Sequence, residues 1–271
     1  MFLLLLVLIG IAVGAFGTLI GAGGGFLLVP ALILLYPHDR PENLTSISLA
    51  VVFFNAFSGS FAYARMGRID YRSGVLFAAA TIPGAIAGAI VTNYLPRRTF
   101  DLIFALVLMS AGVALLIAGA KESPVHAPQP VPGRTVRTVV EADGTRHVFS
   151  YHPAVGIVLS VFVGFASSLL GIGGGIIHVP ALVYLLNFPT HVATATSHFI
   201  LVFMALAGSA VHLATGALAQ GIVRAVALGV GAMIGAQFGA RFSERVHPHW
   251  ILRSLGAGLA FVGFRILLLA R

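Results

Sequence analysis

No Asp, Glu, Lys or Arg occurs before Asp39, and residues 2–36 are almost wholly apolar. Further apolar segments follow at about 44–64, 73–94, 99–119, 154–186, 194–214, 222–241 and 250–270. Most are close to the roughly 20 residues that carry a helix across a bilayer. Lipid offers no partner to a free backbone group, so such segments read as helices packed into one bundle. The residues between them do not argue otherwise. Only 9% of the chain is charged, against about a quarter in ordinary soluble domains. That excludes a soluble enzyme and a disordered chain. The net charge of +8 comes with no basic stripe interleaved with aromatics, so nucleic acid is not a partner. There is no cysteine, which removes disulfides, thiol chemistry and Cys-ligated metal.

The first run is the odd one. Thirty-five helical residues would extend about 52 Å, too long for one comfortable span and short for two. It reads as membrane segment and not as a secretory leader, because no basic residue precedes it and it does not stop after about fifteen residues. Gly17, Gly21, Gly23, Gly24 and Gly25 interrupt it, followed by Pro30. A break at the glycines is the prediction.

The composition changes at residues 121–152, which hold Lys121, Glu122, Arg134, Arg137, Glu141, Asp143 and Arg146. Pro124, Pro128, Pro130 and Pro132 suggest a stiff linker. Beyond them, β-rich runs at 135–140 and 145–149 flank Asp143-Gly144, a hairpin signal. The reading is a first membrane repeat over 1–120, a soluble linker with a β-hairpin over 121–152, and a second membrane repeat over 153–271.

The halves repeat. Gly21-Ala22-Gly23-Gly24-Gly25 recurs as Gly171-Ile172-Gly173-Gly174-Gly175, and Val29-Pro30-Ala31-Leu32 as Val179-Pro180-Ala181-Leu182, both at an offset of 150. Ser48, Gly59-Ser60 and Gly67 match Ser197, Gly208-Ser209 and Gly216 at 149. Gly84 and Gly88 match Gly231 and Gly235 at 147. An internally duplicated bundle with broken helices at matching places is a common plan for secondary transporters. A helix restarting after Gly25 or Gly175 presents bare N–H groups and a positive dipole end, which suits an anion. Tight helix packing is the plainer use of the same glycines. No Gly-Lys-Ser/Thr follows either run, so neither is a nucleotide-phosphate loop.

The paired LIGAGGGFLLVPAL and LLGIGGGIIHVPAL, with Thr194-Ala195-Thr196-Ser197 after the second, resemble the sulfite exporter TauE/SafE family. The resemblance covers both halves. It implies a multi-span permease for a small sulfur-containing anion such as sulfite, thiosulfate or a sulfonate, in the bacterial inner membrane. It gives no role to the 121–152 insertion.

Polar residues inside the spans are costly and therefore informative. The first half has Ser46, Ser48, Asn55, Ser58, Thr81 and Ser110; the second has Ser167, Ser168, His178, Thr194, Thr196, Ser197, His198, Ser209, His212 and Gln237. Asp and Glu are absent from mid-span; Asp101 and Glu244 stand near segment ends. Hydroxyls, amides and helix ends hold anions by donating hydrogen bonds. The expected cradle is Gly21, Gly23, Gly24, Gly25, Ser48, Asn55, Gly171, Gly173, Gly174, Gly175 and Ser197. The bland use of each hydroxyl is a bond back to its own helix. His178, His198 and His212 are candidates for anion contact or for a coupled proton, sodium being the other coupling ion considered; the plainer reading is neutral histidines satisfied by neighbours. No metal or other cofactor is called for. The flanking arginines Arg65, Arg68, Arg72, Arg97 and Arg98 read as headgroup anchors. Arg253 and Arg265 lie within the last segment.

If residues 2–36 cross once, the repeats are parallel; if they turn back, the repeats are inverted. The length argument leans to the second. Seven Lys or Arg in 65–72 and 121–152 put these stretches together on the cytoplasmic side. The fold expected is thus an all-α polytopic bundle of two four-segment halves with glycine-broken first helices. The function expected is secondary transport by alternating access around a midplane site, export being the direction. A passive anion channel, or a carrier of another small organic anion, is the alternative.

Overall fold

A computed structural model describes residues 2–118, 133–243 and 248–269. The first half holds α1 (Phe2–Ile20), α2 (Gly25–Leu35), α3 (Pro41–Arg65), α4 (Tyr71–Thr92) and α5 (Arg97–Ala118). Strands β1 (Thr135–Val140) and β2 (Arg146–Tyr151) follow, then α6 (Pro153–Leu170), α7 (Gly175–Tyr184), α8 (Thr190–Ala214), α9 (Ile222–Phe242) and α10 (Pro248–Leu269). Both long first segments break at their glycines as expected. The proline linker at 124–132, Glu244 and the side chain of Arg253 fall outside the described residues.

Six helices among the described residues are long and apolar enough to cross a membrane: α1, α3, α4, α6, α8 and the stretch Ala219–Phe242. Large apolar side chains such as Phe57, Val158, Phe162, Val223 and Phe261 face outward, whereas Ser46, Ser48, Asn55, Thr196 and His198 are buried. This is the inside-out distribution that lipid requires. α3 and α8, both 25 residues, extend about 37 Å each. α3 opens on Pro41 at its first turn, with Arg40 extended before it. It ends at Gly67 (φ 71°), whose N–H donates to the Ala64 carbonyl, and α8 ends at the matching Gly216 (φ 79°). Both glycines supply the left-handed turn that closes a helix.

The contacts fix the direction of each helix. Thr45 meets His212, Leu49 meets Gly208 and Gly59 meets His198, so α3 and α8 run antiparallel. Gly112 packs on Gly256 and Ala260, and Gly263 on Ala105 and Met109, so α5 and α10 run antiparallel too. These are sequence-equivalent pairs. Conversely Val7, Ile11 and Ala15 meet Gly231, Gly235 and Gly239, making α1 and α9 parallel; Val161 and Phe165 meet Gly84 and Gly88, making α6 and α4 parallel. Asn55 reaches Gly14 and Tyr63 reaches Thr18, so α1 and α3 also point the same way. Residues 21–40 must therefore return to the side where α1 began. Gly24 folds back beside Val13. α2 and α7 have 11 and 10 residues, about 15 Å or half a bilayer core.

The small-residue contacts of α1 with α9 and of α4 with α6 lie within the chain. A Cβ on Gly84, Gly231, Gly235 or Gly239 would stand 2.1 Å from the carbonyl oxygen of Val161, Val7, Ile11 or Ala15. Nothing but backbone movement makes that space. Gly235→Ala is expected to cost about 1–3 kcal/mol, read as a lowered melting temperature of the detergent-solubilised protein; an unchanged value would mean that α1 and α9 part without loss.

The hairpin pairs antiparallel in the register Thr135↔Tyr151 to Val140↔Arg146. Gly144 takes φ 90°, and the Thr145 N–H donates to Asp143 Oδ1 at 2.9 Å, which holds the pKa of that exposed carboxyl below its usual value. The second strand runs past the expected end at 149 to Tyr151, because Phe149 and Tyr151 pack on Phe188 and Phe77. The hairpin is thus not loose in water. It docks on the 66–70 turn, where the Ala142 N–H donates to the Met66 carbonyl, so the hairpin and the 65–72 stretch share one side. Arg68, expected to anchor headgroups, instead donates to Glu141 Oε2 at 2.6 Å, and His147 meets the other oxygen at 2.7 Å. Arg137 holds Asp70 through Nη2 and Nε, and this carboxylate keeps the guanidinium more firmly protonated than usual.

Candidate functional site

The two glycine turns meet. Gly21, Gly23 and Gly24 have φ of 80°, 76° and 80°, and Gly171, Gly173 and Gly174 have 68°, 78° and 52°. Side-chain-bearing residues avoid this region, so the break itself demands glycine at equivalent places. The segments then cross antiparallel. A Cβ on Gly25 would stand 2.5 Å from the Gly171 oxygen, and one on Gly175 2.0 Å from the Gly21 oxygen. Gly23 and Gly173 sit at the crossing, each against Val52. Val52 is the twelfth of the 25 residues of α3, so the crossing lies halfway along a spanning helix. Here α2 and α7 begin and depart in opposite directions, each with the positive end of a half-length helix at the centre.

Ser48 and Ser197 tie the turns to the opposite repeat. Ser48 Oγ donates to the Gly171 carbonyl at 2.6 Å, and Ser197 Oγ to the Gly21 carbonyl at 3.4 Å. Other hydroxyls do take the local bond: Thr81 to Ala78, Thr92 to Gly88 and Ser110 to Val107. Asn55 is fully occupied. Its Nδ2 donates to the Gly14 and Ala232 carbonyls at 2.9 and 3.3 Å, and its Oδ1 accepts from Thr18 at 3.2 Å. Sequence put Asn55 in the expected cradle; the structure uses its amide to join α1, α3 and α9.

The three histidines are buried but dispersed. His198 Nε2 meets the Thr18 hydroxyl at 3.2 Å and lies beside the Tyr63 ring. His212 Nε2 meets Thr45 at 3.4 Å, beside Gly171. His178 Nε2 meets Ser160 at 3.3 Å. Among the described residues, Ser60, Ser167, Ser168 and Ser209 Oγ and the Nδ1 atoms of His198 and His212 are buried without a hydrogen-bond partner. No three His, Asp or Glu side chains of the described residues converge as metal ligands would. An open cleft of 460 Å³ lined by His38, Arg40, Asn93 and Arg97 lies at the helix ends, away from the crossing.

The profile of the sulfite exporter TauE/SafE family matches residues 6–266. The chain belongs to that family. The probable membrane transporter YunE of Bacillus subtilis is 34% identical over 218 residues, which is 78% of each chain. A probable membrane transporter of Xylella fastidiosa is 29% identical over 190 residues, 70% of this chain and 64% of its own. One from Methanocaldococcus jannaschii is 26% identical over 198 residues, 71% and 66% of the two. No solved structure matches. This TauE/SafE protein is accordingly a multi-pass integral membrane transporter and not an enzyme.

Sequence reading did not anticipate the cluster around Asp70. Arg137, Ser73 and Tyr151 converge on that buried carboxyl or its hydroxyl partner, and the Asp70 N–H donates to Thr196 Oγ1 at 3.0 Å. The pairing links residues 67 positions apart, and no local periodicity announces it.

Proposed function

We propose that this protein is a secondary transporter that exports a small sulfur oxyanion or sulfonate by alternating access. The carrying observation is the crossing of the two glycine turns, where both half-length helices begin at mid-depth. A positive dipole end and open N–H groups favour an anion, and no mid-span carboxylate stands there to hold a cation. The substrate would lie against Gly21, Gly23, Gly24 and Gly25, against Gly171, Gly173, Gly174 and Gly175, and between Ser48 and Ser197. The antiparallel α3–α8 and α5–α10 pairs support inverted repeats, so that one half rocking on the other exchanges the two faces. His178, His198 and His212 are the candidates for a coupled proton or for contact with the anion; sodium is the other coupling ion to try. The bilayer is the other partner, and bacterial relatives favour the inner membrane.

Purified protein in liposomes should move labelled sulfite, thiosulfate or a sulfonate, and an imposed proton gradient should drive accumulation. If none of these anions moves, the substrate assignment is lost. Movement that no proton or sodium gradient drives uphill would make the protein a passive channel.

A further inference from the structure

The two repeats place different residues at the same positions beside their glycine turns. In the first, a Cβ on Gly17 would stand 2.2 Å from the Gly24 nitrogen, so α1 and the turn close on each other. Thr18, the next residue, is bonded to Asn55 and His198. At the offset of 150, the second repeat carries Ser167 and Ser168. Both are wholly buried, and neither hydroxyl has a hydrogen-bond partner among the described residues. Ser167 Oγ lies 2.9 Å from where a Cβ of Gly174 would stand, against the residue that precedes α7. Ser168 Oγ lies 3.0 Å from the same position on Gly208. Met204, with no N–H to offer, stands where the first repeat has Asn55, at the offset of 149.

A buried hydroxyl left without a partner is destabilising, and native chains keep few. Ser167 beside the α7 N-terminus and Ser168 against α8 together form a cost that a ligand removes. The α7 N-terminus supplies charge of the right sign, and the serines supply donors that the protein itself does not use. The first repeat has spent the same positions on closure.

We infer that hydroxyl donation to the anion at this crossing is one-sided: Ser167 and Ser168 donate to the oxyanion from the second repeat, and the first turn, with its own hydroxyl and amide spent on closure at Thr18 and Asn55, offers backbone alone. The inference rests on the proposed anion transport and deepens it. Two hydroxyl donors suit an oxyanion such as sulfite, thiosulfate or a sulfonate, whose separate oxygens can each accept one. Side-chain donation from one repeat leaves the two faces of the carrier chemically unequal although the backbone is duplicated.

The test is thermal stabilisation of the detergent-purified full-length protein titrated with sulfite, thiosulfate, methanesulfonate and chloride. Ser167→Ala and Ser168→Ala should each raise the half-saturating anion concentration about tenfold, the worth of one hydrogen bond to a charged group. Their unliganded melting temperatures should hold or rise, because an unsatisfied hydroxyl has gone. Ser167→Gly, which copies Gly17, checks the same point with a second substitution. Ser110→Ala, which removes only a hydroxyl bonded back to Val107 on α5, should leave the anion response unchanged. A wild-type response to sulfur oxyanions that both serine variants keep intact would overturn the one-sided site and leave the transport reading standing. Absence of any wild-type response would overturn both.

Discussion

Gly173→Val will reduce transport to background. Two separate costs meet at this residue. Its φ of 78° lies where a β-branched side chain is strained, by about 1–2 kcal/mol. A Cβ there would also stand 2.9 Å from Val52 Cγ2 and 3.0 Å from the Ala22 oxygen, and overpacking a filled core adds about 1–3 kcal/mol. Val52 cannot retreat freely, because the same side chain lies 3.0 Å from the Cβ position of Gly23. Gly23→Val should therefore behave alike. Gly216→Ala separates the two causes. Gly216 has φ 79° but open space around it, so that variant carries strain alone and should keep transport with a small fall in melting temperature. Anion flux and melting temperature together read the result. Near-normal flux in Gly173→Val would show that the crossing is not part of the path.

Much of this architecture is written in the chain because lipid restricts the choices. Apolar length gave the spans, and the drift-free offset of 150 between the glycine runs gave the duplication. The breaks were legible because Gly-rich runs followed by proline are poor helix interiors. The hairpin was legible from Asp143-Gly144. What the sequence did not carry is which element meets which. Ser48 and Thr81 look alike in a list of span hydroxyls, yet one crosses to the Gly171 carbonyl and the other turns back on Ala78. Asn55 looked like a ligand group, and its amide proves to be committed to Gly14 and Ala232. Ser167 and Ser168 were visible as residues but not as unpartnered ones, since satisfaction is a property of the whole packing. The Gly17/Ser167 and Thr18/Ser168 contrasts were present in the alignment of the halves all along. They gain meaning only once Gly24 and Gly174 are seen beside them.

Arg137→Ala is expected to be the most destabilising substitution outside the bundle. Asp70 is 2% exposed and receives Arg137 Nη2 at 2.6 Å, with Nε at 3.1 and 3.2 Å. Ser73 donates to the same carboxylate, and the Tyr151 hydroxyl lies 2.6 Å from Ser73. Burial beside this acid raises the pKa of the Tyr151 phenol, so that hydroxyl keeps its proton as a donor. Deleting the guanidinium strands a buried charge, and such losses run to about 3–5 kcal/mol. The paired change Asp70→Asn with Arg137→Met removes both charges and should recover a good part of that loss, as a double-mutant cycle on the melting temperature would read. The effect should reach the transport path. The Asp70 N–H donates to Thr196, and Thr196 precedes the Ser197 that bonds the Gly21 carbonyl. Losing the hairpin's hold on Asp70 therefore loosens α8 where it secures the first glycine turn. Arg137→Ala should lower flux as well as stability, while Asp143→Ala, at the exposed tip of the same hairpin, should change neither. Equal flux in the two variants would make the hairpin an appendage with no mechanical link to the carrier.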